Sequence, residues 1–307
     1  MEFLRLLEGI RTPFLDTIFS TITQLGEETI IILAGLLFFW CINKKQGYYL
    51  LSVGLVGTVL NQFLKMIFRI PRPWIKDGSF TIVESAKEAA TGYSFPSGHT
   101  QAGVGLFGGI ARSNKSLVLR IVCVALCVLI GFSRMYLGVH TPADVLVSAL
   151  LAVALIFGFY PIFDKAFENK KSMRIFFSAI TAFSVVFLVF ISIYKFPADT
   201  DAHNLESAGE NAYKMLGCIL GIWLSYEVDT NFTHFETKSV WWIQVLKLVI
   251  GILPILAIKA GLKEPLYSIL GQNYIADGLR YFLLTSFAGC VWPMTFPLFN
   301  RLAKGNK

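Results

Sequence analysis

The stretch Tyr93–Thr100, YSFPSGHT, marks the point where a polar segment gives way to an apolar one. Ser97 is a residue type that caps helix N-termini, and Gly98 permits close approach of the backbone. The apolar, glycine-rich run at 100–112 predicts a helix that begins here. The first N–H groups of a helix favour an anion, and His99 would stand beside that anion as a proton donor. A single histidine is more often a packing residue, so the role of His99 depends on the other polar segments of the chain.

The composition is that of a membrane protein. Of the 307 residues, 55% are hydrophobic and 15% are charged, whereas soluble domains carry about 25% charged residues. The formal net charge is +7, and such an excess is expected in cytoplasmic loops. No arm rich in lysine and arginine is present in the sequence, so no nucleic-acid partner is predicted. The five cysteines lie inside apolar runs and predict packing rather than a metal site.

Apolar runs predict an all-α integral membrane protein with about nine transmembrane helices. An amphipathic helix over residues 2–24 precedes them and is expected on the membrane surface. The runs lie at roughly 28–43, 47–68, 98–113, 117–137, 142–163, 173–195, 211–227, 240–262 and 279–299.

Basic residues set the expected orientation. They cluster in loops 43–47, 112–120 and 164–174 and in the C-terminal tail, which lie on one side if nine spans are correct. The positive-inside rule makes that side cytoplasmic. Loops 69–97 and 134–141, which hold most of the remaining polar chemistry, then face outward.

Lys65 and Arg72 form a first polar cluster at a predicted outer helix end. Pro71 and Pro73 break the helix and stiffen the turn around Arg72. Two fixed cations with limited water suit a phosphate dianion better than a carboxylate. The simpler interpretation is that both side chains snorkel, so that their charged ends lie at the membrane interface.

A second polar cluster lies in the segment Ser133–Asp144, SRMYLGVHTPAD. Thr141 and Pro142 are typical of a helix start, which places Asp144 in the first turn. A carboxylate there is favoured by the helix dipole alone. It is also close enough to hold the His140 ring, so that one nitrogen is fixed and the other is free to react. Arg134 supplies a third cation.

Taken in order, these segments resemble the signature of the type 2 phosphatidic acid phosphatase superfamily. The patterns K-x6-R-P, P-S-G-H and S-R-x5-H-x3-D are matched without a substitution. The resemblance covers roughly residues 27–165, and the last third of the chain carries none of these motifs. It implies a six-helix-type phosphatase core at 27–170. The apolar pattern adds an amphipathic interfacial helix at 1–26 before this core and further transmembrane helices at 171–307 after it.

The resemblance implies a site without metal or cofactor. His140 would attack phosphorus, Asp144 would orient its ring, and His99 would protonate the leaving group and then activate water. The implied phosphate ligands are Lys65, Arg72, Ser97, Gly98 and Arg134.

The implied activity is hydrolysis of a lipid phosphate or pyrophosphate, such as phosphatidic acid or undecaprenyl pyrophosphate, through a phosphohistidine. A lipid phosphotransferase and a non-enzymatic transporter of anionic lipid are the alternatives. Membrane lipids are the expected surroundings, and the oligomeric state is left open. The compact size and short tails favour a bacterial plasma membrane with the site facing outward, and the endoplasmic reticulum is the second choice.

Overall fold

The computed structural model describes residues 1–87, 90–271 and 273–305. Every regular element in those ranges is a helix, which confirms the predicted all-α fold. The chain divides into two compact units, each discontinuous in sequence. The division predicted from the sequence has three continuous segments, 1–26, 27–170 and 171–307. That division stays a prediction.

The first unit comprises Met1–Leu33, Val56–Pro161 and Lys195–Ala208. Helices α3, α4, α9 and α11 continue beyond its limits. Its elements are α1 (Glu2–Gly9), α2 (Pro13–Gln24), α3 (Glu28–Leu37), α4 (Lys44–Phe68), α5 (Pro73–Lys76), a 3-10 turn (Glu84–Ala86), α6 (Gly98–Gly103), a π turn (Val104–Gly108), α7 (Gly109–Ser113), α8 (Leu117–Tyr136), α9 (Pro142–Ala166) and the start of α11 (Ala202–Val228).

The amphipathic segment at the N-terminus is two helices, so the prediction of one helix over 2–24 was wrong. The side chain of Thr12 accepts a hydrogen bond from the Leu15 amide, and Pro13 occupies the first helical position. A capping threonine followed by proline ends α1 and starts α2. Leu6 and Phe14 remain more than 70% exposed, which leaves an apolar face on these helices.

The polar side of α1 binds the loop that follows α5. Arg5 forms an ion pair with Asp77 at 2.7 Å. Arg11 donates to the carbonyl of Thr81 at 2.8 Å and to that of Tyr136 at 3.0 Å. The N-terminal segment therefore braces both the loop that follows α5 and the end of α8.

The second unit comprises Ala34–Leu55, Ile162–Tyr194 and the chain from Gly209 onward. Two ion pairs lie inside it, the partly buried pair of Lys44 with Asp229 at 2.7 Å and the buried pair of Arg280 with Asp277 at 2.6 Å. Its further elements are a π turn (Phe38–Ile42), α10 (Lys170–Ile193), a π turn (Asp229–Thr233), α12 (Trp241–Gly261), α13 (Lys263–Leu270), α14 (Tyr274–Ser286), a π turn (Phe287–Val291), a 3-10 turn (Pro293–Thr295) and α15 (Phe296–Gly305).

Six helical segments in the described ranges are long and apolar enough to cross a membrane, or seven if the bent pair of α2 with Glu28–Ile42 is one span. The count of nine is not confirmed. The run at 98–113 is divided by a π turn, and the first half of α11 carries charged residues such as Glu206, Glu210 and Lys214. Integral membrane character follows from the six segments together.

Candidate active site

Ser97 caps α6 and connects it to the start of α9. Its hydroxyl oxygen accepts from the Thr100 hydroxyl at 2.9 Å and from the Thr100 amide at 3.4 Å. Its own amide donates to the carbonyl of Asp144 at 3.2 Å. Because its oxygen already accepts, the Ser97 hydroxyl keeps its hydrogen for a bound oxyanion.

Gly98 and His99 follow the cap. A Cβ added at Gly98 would meet only Oδ1 of Asn61, at 3.8 Å, so the protein leaves open space beside this amide. The Asn61 side chain donates to the carbonyl of Pro96 at 3.3 Å and thereby holds the preceding turn. Nε2 of His99 is buried and has no hydrogen-bond partner among the described residues, which leaves it available to a substrate.

Lys65 and Arg72 are buried and hold the carbonyls of the segment before Ser97. Nζ of Lys65 donates to the carbonyl of Tyr93 at 2.7 Å. Arg72 donates through Nε to Gly92 at 3.1 Å and through Nη2 to Thr91 at 2.6 Å. Both side chains are at most 5% exposed. Membrane-interface snorkelling therefore does not explain them, because neither reaches solvent.

Arg134, at the end of α8, is fully buried. Its Nη1 donates to the hydroxyl of Thr23 on α2 at 2.8 Å, whereas Nε and Nη2 have no partner among the described residues. The chain then turns back through Gly138, whose φ of +81° is in the left-handed region that glycine tolerates best. This turn brings the His140 amide to 3.3 Å from the carbonyl of Arg134.

His140 lies between Arg72 and Asp144. Nη1 of Arg72 is 2.9 Å from Nε2 of the ring, and Nδ1 of the ring is 3.6 Å from Oδ2 of Asp144. The same carboxylate oxygen accepts from the Ser94 hydroxyl at 2.6 Å and from the Thr141 amide at 2.8 Å. Two donors thus fix the carboxylate that faces Nδ1.

The pocket is strongly positive. Lys65, Arg72 and Arg134 are three buried cations, and Asp144 is the buried carboxylate beside them. Burial, followed by the charges of Arg72, Arg134 and Lys65, lowers the pKa of His140 well below its ordinary value of 6.5. The ring is therefore neutral at physiological pH, as a nucleophile requires. An incoming phosphate dianion would offset most of the positive charge.

All eight residues that the sequence proposed for the site lie in the first unit. His99 interacts electrostatically with Arg134, Lys65 and Arg72, and His140 interacts with His99 as well. Sequence reasoning missed Thr23 and Ser94. Ser94 stands within YSFPSGHT, but a hydroxyl that supports a distant carboxylate has no spacing pattern. Thr23 lies 111 residues from its partner Arg134 in sequence, and no motif or spacing pattern marks it.

Comparison with known protein families identifies two matching regions in the chain. Residues 45–168 match the PAP2 superfamily, and residues 213–304 match the transmembrane extension of PAP2 superfamily phosphatases. The undecaprenyl-diphosphatase BcrC of Bacillus subtilis is 32% identical over 162 residues, which span 52% of this chain and 80% of that protein. The chain belongs to the PAP2 superfamily. It is therefore an integral membrane phosphatase, as the sequence motifs predicted.

Two further relatives in this superfamily differ in length. Phosphatidylglycerophosphatase B of Bacillus subtilis is 30% identical over 174 residues, or 52% of this chain and 79% of that protein. Human sphingosine-1-phosphate phosphatase 2 is 24% identical over 225 residues, which cover 71% of this chain but 54% of that protein. No solved structure matches the chain. The relatives are thus named as phosphatases of different lipid substrates.

Proposed function

We propose that this PAP2 protein hydrolyses a lipid phosphate or pyrophosphate through a phosphohistidine formed on His140. The observation that carries the proposal is the pair of contacts on one ring. Arg72 Nη1 is 2.9 Å from Nε2, and Asp144 Oδ2 faces Nδ1 at 3.6 Å. A cation beside Nε2 favours a lone pair there, and a carboxylate beside Nδ1 favours the proton on that nitrogen.

The first step transfers the phosphoryl group to the protein. Nε2 of His140 attacks phosphorus, an N–P bond forms, and the bond from phosphorus to the leaving oxygen breaks. Arg134 offers two unpartnered guanidinium nitrogens to the phosphate oxygens, and Ser97 and the Gly98 amide add neutral donors. Donors held in place before the reaction stabilise the charge that spreads over these oxygens.

His99 serves both steps. The three cations oppose a proton on this ring in the free enzyme, and a bound phosphate dianion offsets them, so substrate binding favours the protonated acid. That proton passes to the leaving alkoxide or phosphate. The neutral ring then takes a proton from water, which attacks phosphorus, breaks the N–P bond and releases inorganic phosphate.

A membrane-bound substrate is supported by the relatives and by the setting of the site. The relatives are named for phosphatase activity on undecaprenyl diphosphate, phosphatidylglycerophosphate and sphingosine 1-phosphate. The site residues lie where candidate membrane helices α4, α8 and α9 begin or end. When a lipid head group is bound there, the hydrocarbon chain of that lipid stays in the bilayer.

We also propose that the site faces away from the cytoplasm, in a bacterial plasma membrane. Within the first unit, the basic loop 112–120 lies between the ends of α7 and α8 opposite to the site residues, and the positive-inside rule makes that loop cytoplasmic. Single cysteines at Ser79 and Lys115, both exposed, test the orientation in a cysteine-free variant. An impermeant maleimide should label intact cells at Ser79→Cys alone, and labelling at Lys115→Cys alone would reverse the assignment.

The experiment that tests the function uses purified protein in detergent without a gradient. Phosphate release is measured from undecaprenyl pyrophosphate, phosphatidic acid, phosphatidylglycerol phosphate, sphingosine 1-phosphate and glucose 6-phosphate. Release from a lipid substrate supports a phosphatase, and no release from any of them contradicts it. Transfer to an added lipid alcohol in preference to water would establish the phosphotransferase alternative. A transporter predicts no bond cleavage at all.

A further inference from the structure

An apolar groove of about 720 Å³ lies within the first unit. One wall is the segment α6, π turn and α7, and the others are α8 and α9. Its lining side chains are mostly aliphatic or aromatic, and they include the small residues Ala111 and Ala149. A groove of this kind binds an apolar ligand rather than a head group.

One end of the groove is lined by immediate sequence neighbours of the candidate active-site residues. Three of its lining residues directly follow site residues in sequence: Thr100 follows His99, Met135 follows Arg134, and Val145 follows Asp144. Thr100 also donates to the Ser97 hydroxyl at 2.9 Å. The same backbone segments that carry site residues therefore form one end of the groove, called its upper end below.

The groove is open toward the side of the helices. Lining residues on α8 and α9 are well exposed, with Val128 at 65%, Leu146 at 62% and Phe157 at 58%. Both helices qualify as membrane spans, so this opening faces hydrocarbon. A lipid chain would reach the groove from the bilayer without crossing water.

The far end of the groove is marked by Arg112. Its guanidinium lies 3.9 Å from the ring centroid of Tyr160 and 5.4 Å from that of Phe157. Twelve residues of helical chain separate Thr100 from Arg112, which corresponds to a depth of about 18 Å. A long hydrocarbon chain fits that depth, whereas a phosphate ester with a few carbons occupies its upper end alone.

We infer that this groove binds the hydrocarbon chain of the substrate while its phosphate occupies the site at His140. The inference rests on the proposed function, because it takes the ligand at the upper end to be a phosphate ester. On this inference, contacts with α7, α8 and α9 make long-chain substrates better substrates than short-chain ones. A resident bilayer lipid that does not react is the competing occupant.

The test compares two substrates of equal head group, butyl phosphate and hexadecyl phosphate, in the same detergent. Ala149→Phe fills the groove about 7 Å below Asp144, and Ala111→Phe fills it near the far end. We expect Ala149→Phe to lower kcat/KM for hexadecyl phosphate by about ten-fold or more, since several methylene contacts are lost. Butyl phosphate should stay within about two-fold, and Ala111→Phe should have the smaller effect of the two.

Ala154→Phe is the matched control, because Ala154 is exposed on α9 outside the groove. Equal losses for both substrates, equal losses in Ala149→Phe and Ala154→Phe, or no loss for hexadecyl phosphate would each overturn the inference. Resistance of each variant to thermal aggregation shows that it is folded.

A second measurement does not depend on turnover. A hexadecyl phosphonate with a diazirine in its chain should label peptides of α8 and α9 near Val128 and Ala149, and hexadecyl phosphate should compete. Labelling elsewhere, or labelling that the phosphate does not displace, would contradict chain binding in the groove. If the groove is labelled but no phosphate ester is cleaved, the proposed function fails while the binding site stands.

Discussion

Nη1 of Arg72 lies 2.9 Å from Nε2 of His140, although 68 residues separate them in sequence. The same nitrogen of Arg72 donates to the carbonyl of Val139 at 3.0 Å. The guanidinium therefore touches both the ring and the backbone just before it. In the proposed reaction the incoming phosphate takes over this Arg72 donor, which frees the Nε2 lone pair to attack phosphorus.

Thr23 is expected to position Arg134. Thr23→Val removes the acceptor of the 2.8 Å hydrogen bond, so we expect weaker binding of phosphate by about ten-fold, since a hydrogen bond to a charged group is lost. The inhibition constant of inorganic phosphate measures this effect separately from kcat. Thr23→Ser should restore binding. Thr17→Val, an exposed threonine on the same helix, is the control, and an equal effect there would contradict a specific role.

Ser94 and Thr141 are expected to act through Asp144. Ser94→Ala removes one of the two donors on Oδ2, so the carboxylate should orient the His140 ring less well. We expect kcat to fall by about ten-fold with little change in KM. Asp144→Asn should be more severe, by about 10² to 10⁴ in kcat, because the ring loses the charged acceptor that fixes its tautomer. If Ser94→Ala changes KM alone, the hydroxyl contacts substrate instead.

We expect kcat/KM to fall at acid pH with a midpoint below pH 6.5. The lowered pKa of His140 keeps the ring neutral, and hence nucleophilic, as the pH falls through the ordinary histidine range. Activity should therefore be retained at pH 6.5, where an unperturbed histidine would be half protonated. The measurement is kcat/KM against pH, corrected for the separately titrated ionisation of the substrate. An acid midpoint at or above 6.5 after that correction would contradict the assignment.

Three fixed cations are expected to replace a metal ion in stabilising the transferred phosphoryl group. Activity should persist after dialysis against a chelator, because Lys65, Arg72 and Arg134 already supply positive charge around the phosphate. Vanadate, which adopts the geometry of the transferring group, should inhibit in competition with substrate. A strict requirement for added magnesium in the dialysed protein would refute this prediction.

Much of the site could be predicted because its motif residues lie at the ends of helices whose order the hydropathy pattern shows. Lys65, Arg134 and Asp144 were each expected at an outer helix end, and in the structure all three are buried and interact electrostatically. Their supports could not be predicted, since Thr23 and Ser94 reach their partners through tertiary packing that no local pattern encodes.

The fold was predictable in class and less so in detail. Thr12-Pro13 carries an ordinary helix-start signal, and the amphipathic periodicity on both sides of it concealed the break. The span count was harder, because hydropathy does not show that the run at 98–113 contains a π turn at Val104–Gly108. Nor does it decide how a helix such as α11, which is charged in one half and apolar in the other, meets the bilayer.

The most direct test of the account is detection of phosphate on His140. Protein mixed with 32P-labelled substrate is quenched in alkali within milliseconds, because phosphohistidine is labile in acid, and the labelled peptide is identified by mass spectrometry. We predict label on His140 in the wild-type protein, label that decays more slowly in His99→Ala, in which hydrolysis is slowed, and none in His140→Ala. Label that persists in His140→Ala, or that lies on another residue, would contradict the proposed mechanism.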